Sequence, residues 1–156
     1  MKRPFEEIVA EHGPLVLRVC RALVGPADAA DAWSETFLSA LQAYPRLPDG
    51  GNVRGWLVTI AHRKAVDQLR GAARRAAGSQ ELPDLPAPEP VAHDPELRSA
   101  LDSLPPKQRG AVIYRHLAGL SYAEVGKLIG SNATAARRSA SDGIANLRKR
   151  LGKGTP

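Results

Sequence analysis

The chain is nearly without cysteine: Cys20 stands alone among 156 residues, so neither an intramolecular disulfide nor a thiolate metal cluster can form. The four histidines, His12, His62, His93 and His116, lie far apart, with neither HExxH nor paired-cysteine spacing, and no metal site is expected. Nucleophile-elbow, phosphate-loop and dinucleotide fingerprints are all missing, so the expectation is no cofactor and no catalysis. The acidic pairs Glu6/Glu7 and Asp28/Asp31 read as helix-start charge, not as acid–base couples. Aromatic residues make up only 4%, which offers no large aromatic core. No segment alternates Val, Ile, Thr or Tyr with polar residues, so strands are not expected. Long apolar runs are absent too. Leu15-Val16-Leu17 is broken by Arg18 and Arg21, and Met1-Lys2-Arg3 leads into Pro4, Glu6, Glu7 and Glu11. Neither a signal peptide nor a membrane span is expected, and the reading is a cytoplasmic protein.

What remains is rich in alanine, leucine and arginine, a helix-forming composition. The formal charge is +6 and the pI about 9.9, which points to polyanionic partners, nucleic acid before membrane. The charge is unevenly spread. Residues 76–95, AAGSQELPDLPAPEPVAHDP, hold five prolines, four carboxylates and no lysine or arginine. Such a stretch reads as a linker of polyproline II character, a spacer between two basic segments. Residues 1–75 carry +3 and residues 96–156 carry +7. The expected organisation is all-α: one helical domain over 1–76, a linker over 77–95, and a second helical domain over 96–153.

In the first domain, apolar spacing predicts a helix over 4–24 closed by Gly25-Pro26, and a second over 27–43 with Trp33, Phe37, Leu38 and Leu41 apolar. PRLPDGGN (45–52) is a loop. A third helix starts near Val53 behind Asn52 as N-cap. In the second domain, 103–119 reads as one helix with prolines in its first turn and Gly119 as its C-terminal cap. Ser121-x-x-Glu124 is a capping box opening a short helix that Gly130 stops. A longer basic helix then begins around Asn132 and runs to about Leu151. Short helix, tight turn and basic helix make a helix-turn-helix, the alternative being an ordinary helical hairpin.

The segment GWLVTIAHRKAVDQLRGAARR (55–75) carries two faces. At about 100° per residue, Trp56, Thr59, Arg63, Asp67, Arg70 and Arg74 share one arc, with Leu57, Val58, Ala61, Ala65 and Leu69 opposite. The arc is either a solvated charged face or a phosphate-binding one. Asp67 lies one turn from Arg63 and Arg70 and is expected to orient their guanidiniums.

Three stretches, DAADAWSETFLSALQAY, GWLVTIAHRKAVDQLR and LDSLPPKQRGAVIYRHLAGLSYAEVGKLIG, occur in that order across the linker. Together they resemble the extracytoplasmic-function sigma factors of bacterial RNA polymerase. The resemblance implies that the first domain is a region 2 helical bundle that docks the polymerase clamp through Asp31, Ser34, Glu35, Phe37 and Leu38. It implies −10 DNA contacts from Asn52, Arg54, Trp56, His62, Arg63, Lys64, Arg70 and Arg74, with base capture by the 45–53 loop. Trp56 is either a core anchor or a stacking platform. The second domain would be a region 4 helix-turn-helix meeting the −35 element through Ser121, Tyr122, Asn132, Thr134, Arg137 and Arg138, with base readout at Arg137 and a phosphate at Arg138. Implied partners are core polymerase at clamp and flap, promoter DNA and an anti-sigma factor, the free chain being a monomer. The chain departs from the family pattern at Ala30-Asp31, Ser34-Glu35 and Arg63. It departs again at Ser141-Asp142-Gly143, where a mid-helix glycine is expected to cost roughly 1 kcal/mol. Two other classes fit parts of the pattern: a dimeric helix-turn-helix regulator, and a sigma mimic that sequesters an anti-sigma factor.

Overall fold

The computed structural model describes residues 2–77 and 95–152, and the chain divides into two compact units, Met1–Val91 and Ala92–Pro156. Every regular element among the described residues is helical, as the composition required. The linker reading falls on residues 78–94, outside the described ones. Both ends of that reading move inward, because α3 continues through Ala77 and α4 already begins at Pro95.

The first unit packs three helices pairwise: α1 (Phe5–Val24), α2 (Ala29–Ala43) and α3 (Val53–Ala77), with a 3₁₀ turn at Tyr44–Arg46 between the last two. Glu6 and Glu7 in the first turn of α1 complement its dipole. Gly25 ends it, its N–H donating to Arg21 O at 2.9 Å. Pro14 lies inside α1 and removes the donor that would close on the Ala10 carbonyl. Beside it, the carbonyl of buried Gly13 accepts a 2.9 Å hydrogen bond from Trp33 Nε1. Asn52 caps α3 as expected, its Oδ1 accepting from Gly55 N–H at 3.1 Å.

The core is built from Ile8, Val16, Cys20, Ala29, Ala32, Phe37, Ala40, Leu57, Ile60 and Ala61. Alanines on α2 and α3 let the three axes approach closely. The few aromatics are not scattered: five of the seven form one connected row. Trp33 meets Phe37 at 4.6 Å, Phe37 meets Phe5 at 6.3 Å, Phe5 meets Tyr44 at 5.3 Å, and Tyr44 meets Trp56 at 6.4 Å. Only Phe37 of the row is fully buried; the other four rings are half-buried at the edge of the core. Burial pushes the Cys20 thiol up to about 11, so it behaves as a small apolar side chain.

The second unit comprises α4 (Pro95–Asp102), α5 (Pro106–Val112) continued by a π turn (Ile113–Leu117), α6 (Tyr122–Leu128) and α7 (Ala133–Gly152). The single helix expected over 103–119 is therefore shorter. Ser103 and Leu104 belong to the turn after α4, donating to Ser99 O and Leu101 O at 3.1 Å each. Pro105 is extended (ψ 148), as a residue preceding proline must be, so the helix starts at Pro106. Ala100, Leu104, Val112 and Leu147 centre this core.

Gly143 is no weak point. A β-carbon there would stand 2.6 Å from Val112 Cγ2 and 3.1 Å from the Gln108 carbonyl oxygen. The glycine lets α7 lie directly on α5, where Asn146 Nδ2 also donates to Gln108 Oε1 at 2.8 Å. Among the described residues no helix is long and apolar enough to cross a membrane.

Candidate nucleic-acid interface

Helix α3 changes character along its length. Its first half is anchored: Leu57, Val58, Ile60, Ala61 and Ala65 are buried. Trp56 is half-buried against the core cluster and beside Tyr44, which favours the anchor over the stacking platform. Beyond Ala65 the helix emerges. Leu69, expected on the core face, is 44% exposed, because little of the bundle stands beside the last turns. Arg54, Arg63, Arg70 and Arg74 are exposed and Lys64 is half-buried.

His62 is half-buried, and burial holds its pKa below the ordinary value, the neighbouring Arg63 acting in the same direction. It is therefore a neutral side chain near pH 7. Asp67 does not orient its neighbours: among the described residues it forms no ion pair with Arg63 or Arg70. Exposed pairs of that spacing are worth too little to hold two long side chains in one geometry.

The loop before α3 is held at its root by the first residues of the chain. Lys2 Nζ donates to Tyr44 O at 2.7 Å and to Pro45 O at 3.1 Å, and lies over the Tyr44 ring at 5.1 Å. A cavity of about 130 Å³ opens beside the loop, lined by Lys2, Tyr44, Leu47, Asp49, Gly50 and Val53 among others. Gly50 adopts φ 78 there, a conformation that L side chains rarely reach.

On α2, Asp31, Ser34, Glu35 and Leu38 share one exposed face, with Leu38 62% exposed. Phe37 does not belong to it. It is 6% exposed inside the aromatic row, because adjacent residues of a helix point about 100° apart and this turns Phe37 away from Leu38 to the core. Leu41, 51% exposed, lies on the outer face instead.

In the second unit the expected residues gather at the starts of two helices. Ser121 caps α6, its Oγ accepting from Glu124 N–H at 3.2 Å and donating to Glu124 Oε1 at 3.1 Å. Asn132 caps α7, accepting from Ala135 N–H at 2.9 Å. The turn between them is tight: a β-carbon on Gly126 would fall 2.6 Å from the Asn132 carbonyl carbon. Gly119 and Gly130 both take positive φ, at 73 and 72, as their capping positions implied. Thr134, Arg137 and Arg138 are exposed on the first turns of α7. Arg138 Nε lies 4.0 Å from Asp142 Oδ2 in an exposed pair. Arg137 stacks on Tyr122, its Cζ 4.6 Å from the ring centroid. Arg115, which sequence reasoning did not single out, stacks on the same ring at 4.3 Å. It reaches Tyr122 across the turn between the π turn and α6, and no local pattern marks it.

Taken from residue 8 to residue 75, the chain matches the family model for Sigma-70 region 2, and residues 95–147 match that for Sigma-70 region 4. It is 36% identical to the RNA polymerase sigma factor CarQ of Myxococcus xanthus, over 96% of this chain and 90% of that one. It is 33% identical to the ECF RNA polymerase sigma factor SigE of Mycolicibacterium smegmatis, over 96% of this chain and 62% of that one. The chain thus spans less than two thirds of the length of that relative. Among solved structures, the sigma factor RpoE in complex with the anti-sigma factor NepR from Bartonella quintana shares the fold, with a TM-score of 0.80 at 21% identity over 97% of this chain and 98% of that one.

Proposed function

The chain belongs to the extracytoplasmic-function sigma factors of bacterial RNA polymerase, and on that footing we propose that it binds core polymerase and directs it to a two-element promoter. In this reading the outer face of α2 (Asp31, Ser34, Glu35, Leu38 and Leu41) docks the polymerase. The arginines of α3 neutralise phosphates along the −10 element, and the loop and cavity beside Lys2 and Gly50 receive an unstacked base. The second unit lays the start of α7 in the major groove of the −35 element, Arg137 addressing a guanine edge and Arg138 a phosphate.

One observation carries the proposal. Arg63, Arg70 and Arg74 form a row of exposed cations that pair with no carboxylate among the described residues. Asp67 is the one carboxylate on this arc and pairs with none of the three, so the face keeps an excess of positive charge. Such a face gains from counterion release when it meets a phosphate backbone. His62 contributes no charge to this row. An anti-sigma factor, as named for RpoE of Bartonella quintana, would be the regulatory partner of this chain too.

The experiment is co-elution of the full chain with core RNA polymerase, with and without Asp31→Lys and Glu35→Lys. Association that the double substitution weakens at least tenfold supports docking through α2. Association unchanged by it places the docking surface elsewhere.

A further inference from the structure

The ring of Tyr122 engages two guanidiniums: Arg137 Cζ from α7 at 4.6 Å and Arg115 Cζ from the π turn at 4.3 Å. Arg115 is fixed a second time, its Nη1 donating to Leu120 O at 3.0 Å. Tyr122 is half-buried at the first position of α6, directly after its cap Ser121 and inside the Ser121–Glu124 capping box. The ring is thus held from below by the fold and presented to Arg137, the exposed one of the two arginines that touch it.

An exposed arginine ordinarily loses much rotamer freedom when it docks, and that loss weakens both affinity and discrimination. A guanidinium lying on an aromatic face has lost part of that freedom already. Two cations at one ring also repel each other. The ring and the Leu120 carbonyl offset that repulsion, and an incoming acceptor pair relieves it further. Arg138 has no comparable support: its one ion-pair partner lies at 4.0 Å, and its side chain is 87% exposed.

We propose that Tyr122 is a positioning residue for Arg137, holding its guanidinium ready for a guanine edge, with Arg115 fixing the ring. This rests on reading the second unit as a reader of the −35 element. It changes the role of Tyr122 from a DNA contact to the support of one.

The test uses the full chain and a randomised duplex DNA library, sequencing what each variant retains. The unsubstituted chain is expected to enrich a guanine-containing motif, and Arg137→Ala to lose the preference at one base pair of it. Tyr122→Leu should lower the preference at that same pair about three- to tenfold, the range expected when one side chain must be ordered on binding. Tyr122→Phe, which keeps the ring, should retain it. Nε–Hε relaxation of Arg137 in the DNA-free chain should show a more mobile guanidinium in Tyr122→Leu and not in Tyr122→Phe. Unchanged mobility and unchanged preference in Tyr122→Leu overturn the inference, as does equal loss in Tyr122→Phe. A motif that Arg137→Ala leaves intact overturns it while the −35 reading stands. No motif from the unsubstituted chain removes both.

Discussion

Gly143 on α7 and Val112 on α5 touch so closely that a β-carbon on the glycine would stand 2.6 Å from Val112 Cγ2. Helix propensity alone gives Gly143→Ala a gain of about 1 kcal/mol. Overpacking a well-filled contact costs about 1–3 kcal/mol, and here the Gln108 backbone oxygen at 3.1 Å cannot swing aside. Packing should win. Hydrogen–deuterium exchange in peptides of α5 and α7 is expected to speed up in Gly143→Ala. Slower exchange would mean that propensity dominates.

The two faces of α2 should separate stability from binding. Phe37→Ala removes a ring from the core row and should cost about 3–5 kcal/mol of stability. Leu38→Ala and Leu41→Ala, both more than half exposed, should leave unfolding of the first unit within about 0.5 kcal/mol of the parent. The same two variants should weaken association with core polymerase, read by fluorescence anisotropy. Unaltered association would remove α2 as the docking face.

Counterion release gives the α3 row its own signature. With a mismatched duplex of arbitrary sequence, Arg63→Ala, Arg70→Ala and Arg74→Ala should each lower the slope of log affinity against log salt by about 0.9. His62→Gln should leave that slope unchanged near neutral pH, because its pKa is held below the ordinary range. Asp67→Asn should raise affinity. An equal change in slope for His62→Gln and Arg63→Ala would contradict the assignment.

His62 and His12 together set a pH dependence. Burial is the largest influence lowering each; Arg63 adds to it at His62, while Arg54 and Arg3 add to it and Glu11 opposes it at His12. The unfolded chain takes up these protons near pH 6.5 and the folded chain only at lower pH. The unfolded state therefore binds more protons in that window, so stability is fully present above about pH 6.5 and lost as pH falls below it. Both tryptophans, Trp33 and Trp56, lie in this unit and report its unfolding. Their midpoint in urea should drop between about pH 7.5 and pH 5.5, and less so in His62→Gln.

Local chemistry was legible in the sequence where a side chain or a glycine caps its own helix, though not in the exposed Asp67 pairs. The Asn52 cap, the Ser121–Glu124 box and the positive φ of Gly119 and Gly130 are all settled within four residues of chain. What was hidden depends on distant partners. The start of α4 at Pro95 was hidden because Pro95 and its acidic surroundings read as polyproline, yet proline at a first helical position leaves no bond unmade. Its apolar Ala100 is buried by residues that follow much later in the chain. Phe37 looked like a docking residue because the motif around it is acidic, and Phe5 and Trp33, which cover it, come from other turns. Arg115 could not be found at all, since only the folded unit brings it to Tyr122. The same holds for Gly143, whose cost in an isolated helix is reversed by the approach of Val112.

The most direct test of the account is transcription by core polymerase on a library of randomised promoters, with this chain as the sole added factor. The expected result is transcripts that begin at a fixed distance downstream of two separated sequence elements. The upstream element should lose its preference at one base pair in Arg137→Ala, and opening at the downstream one should fail when Arg63 and Arg70 are both replaced by alanine. Transcripts no more abundant than those from core polymerase alone, or a motif of one element only, would contradict it.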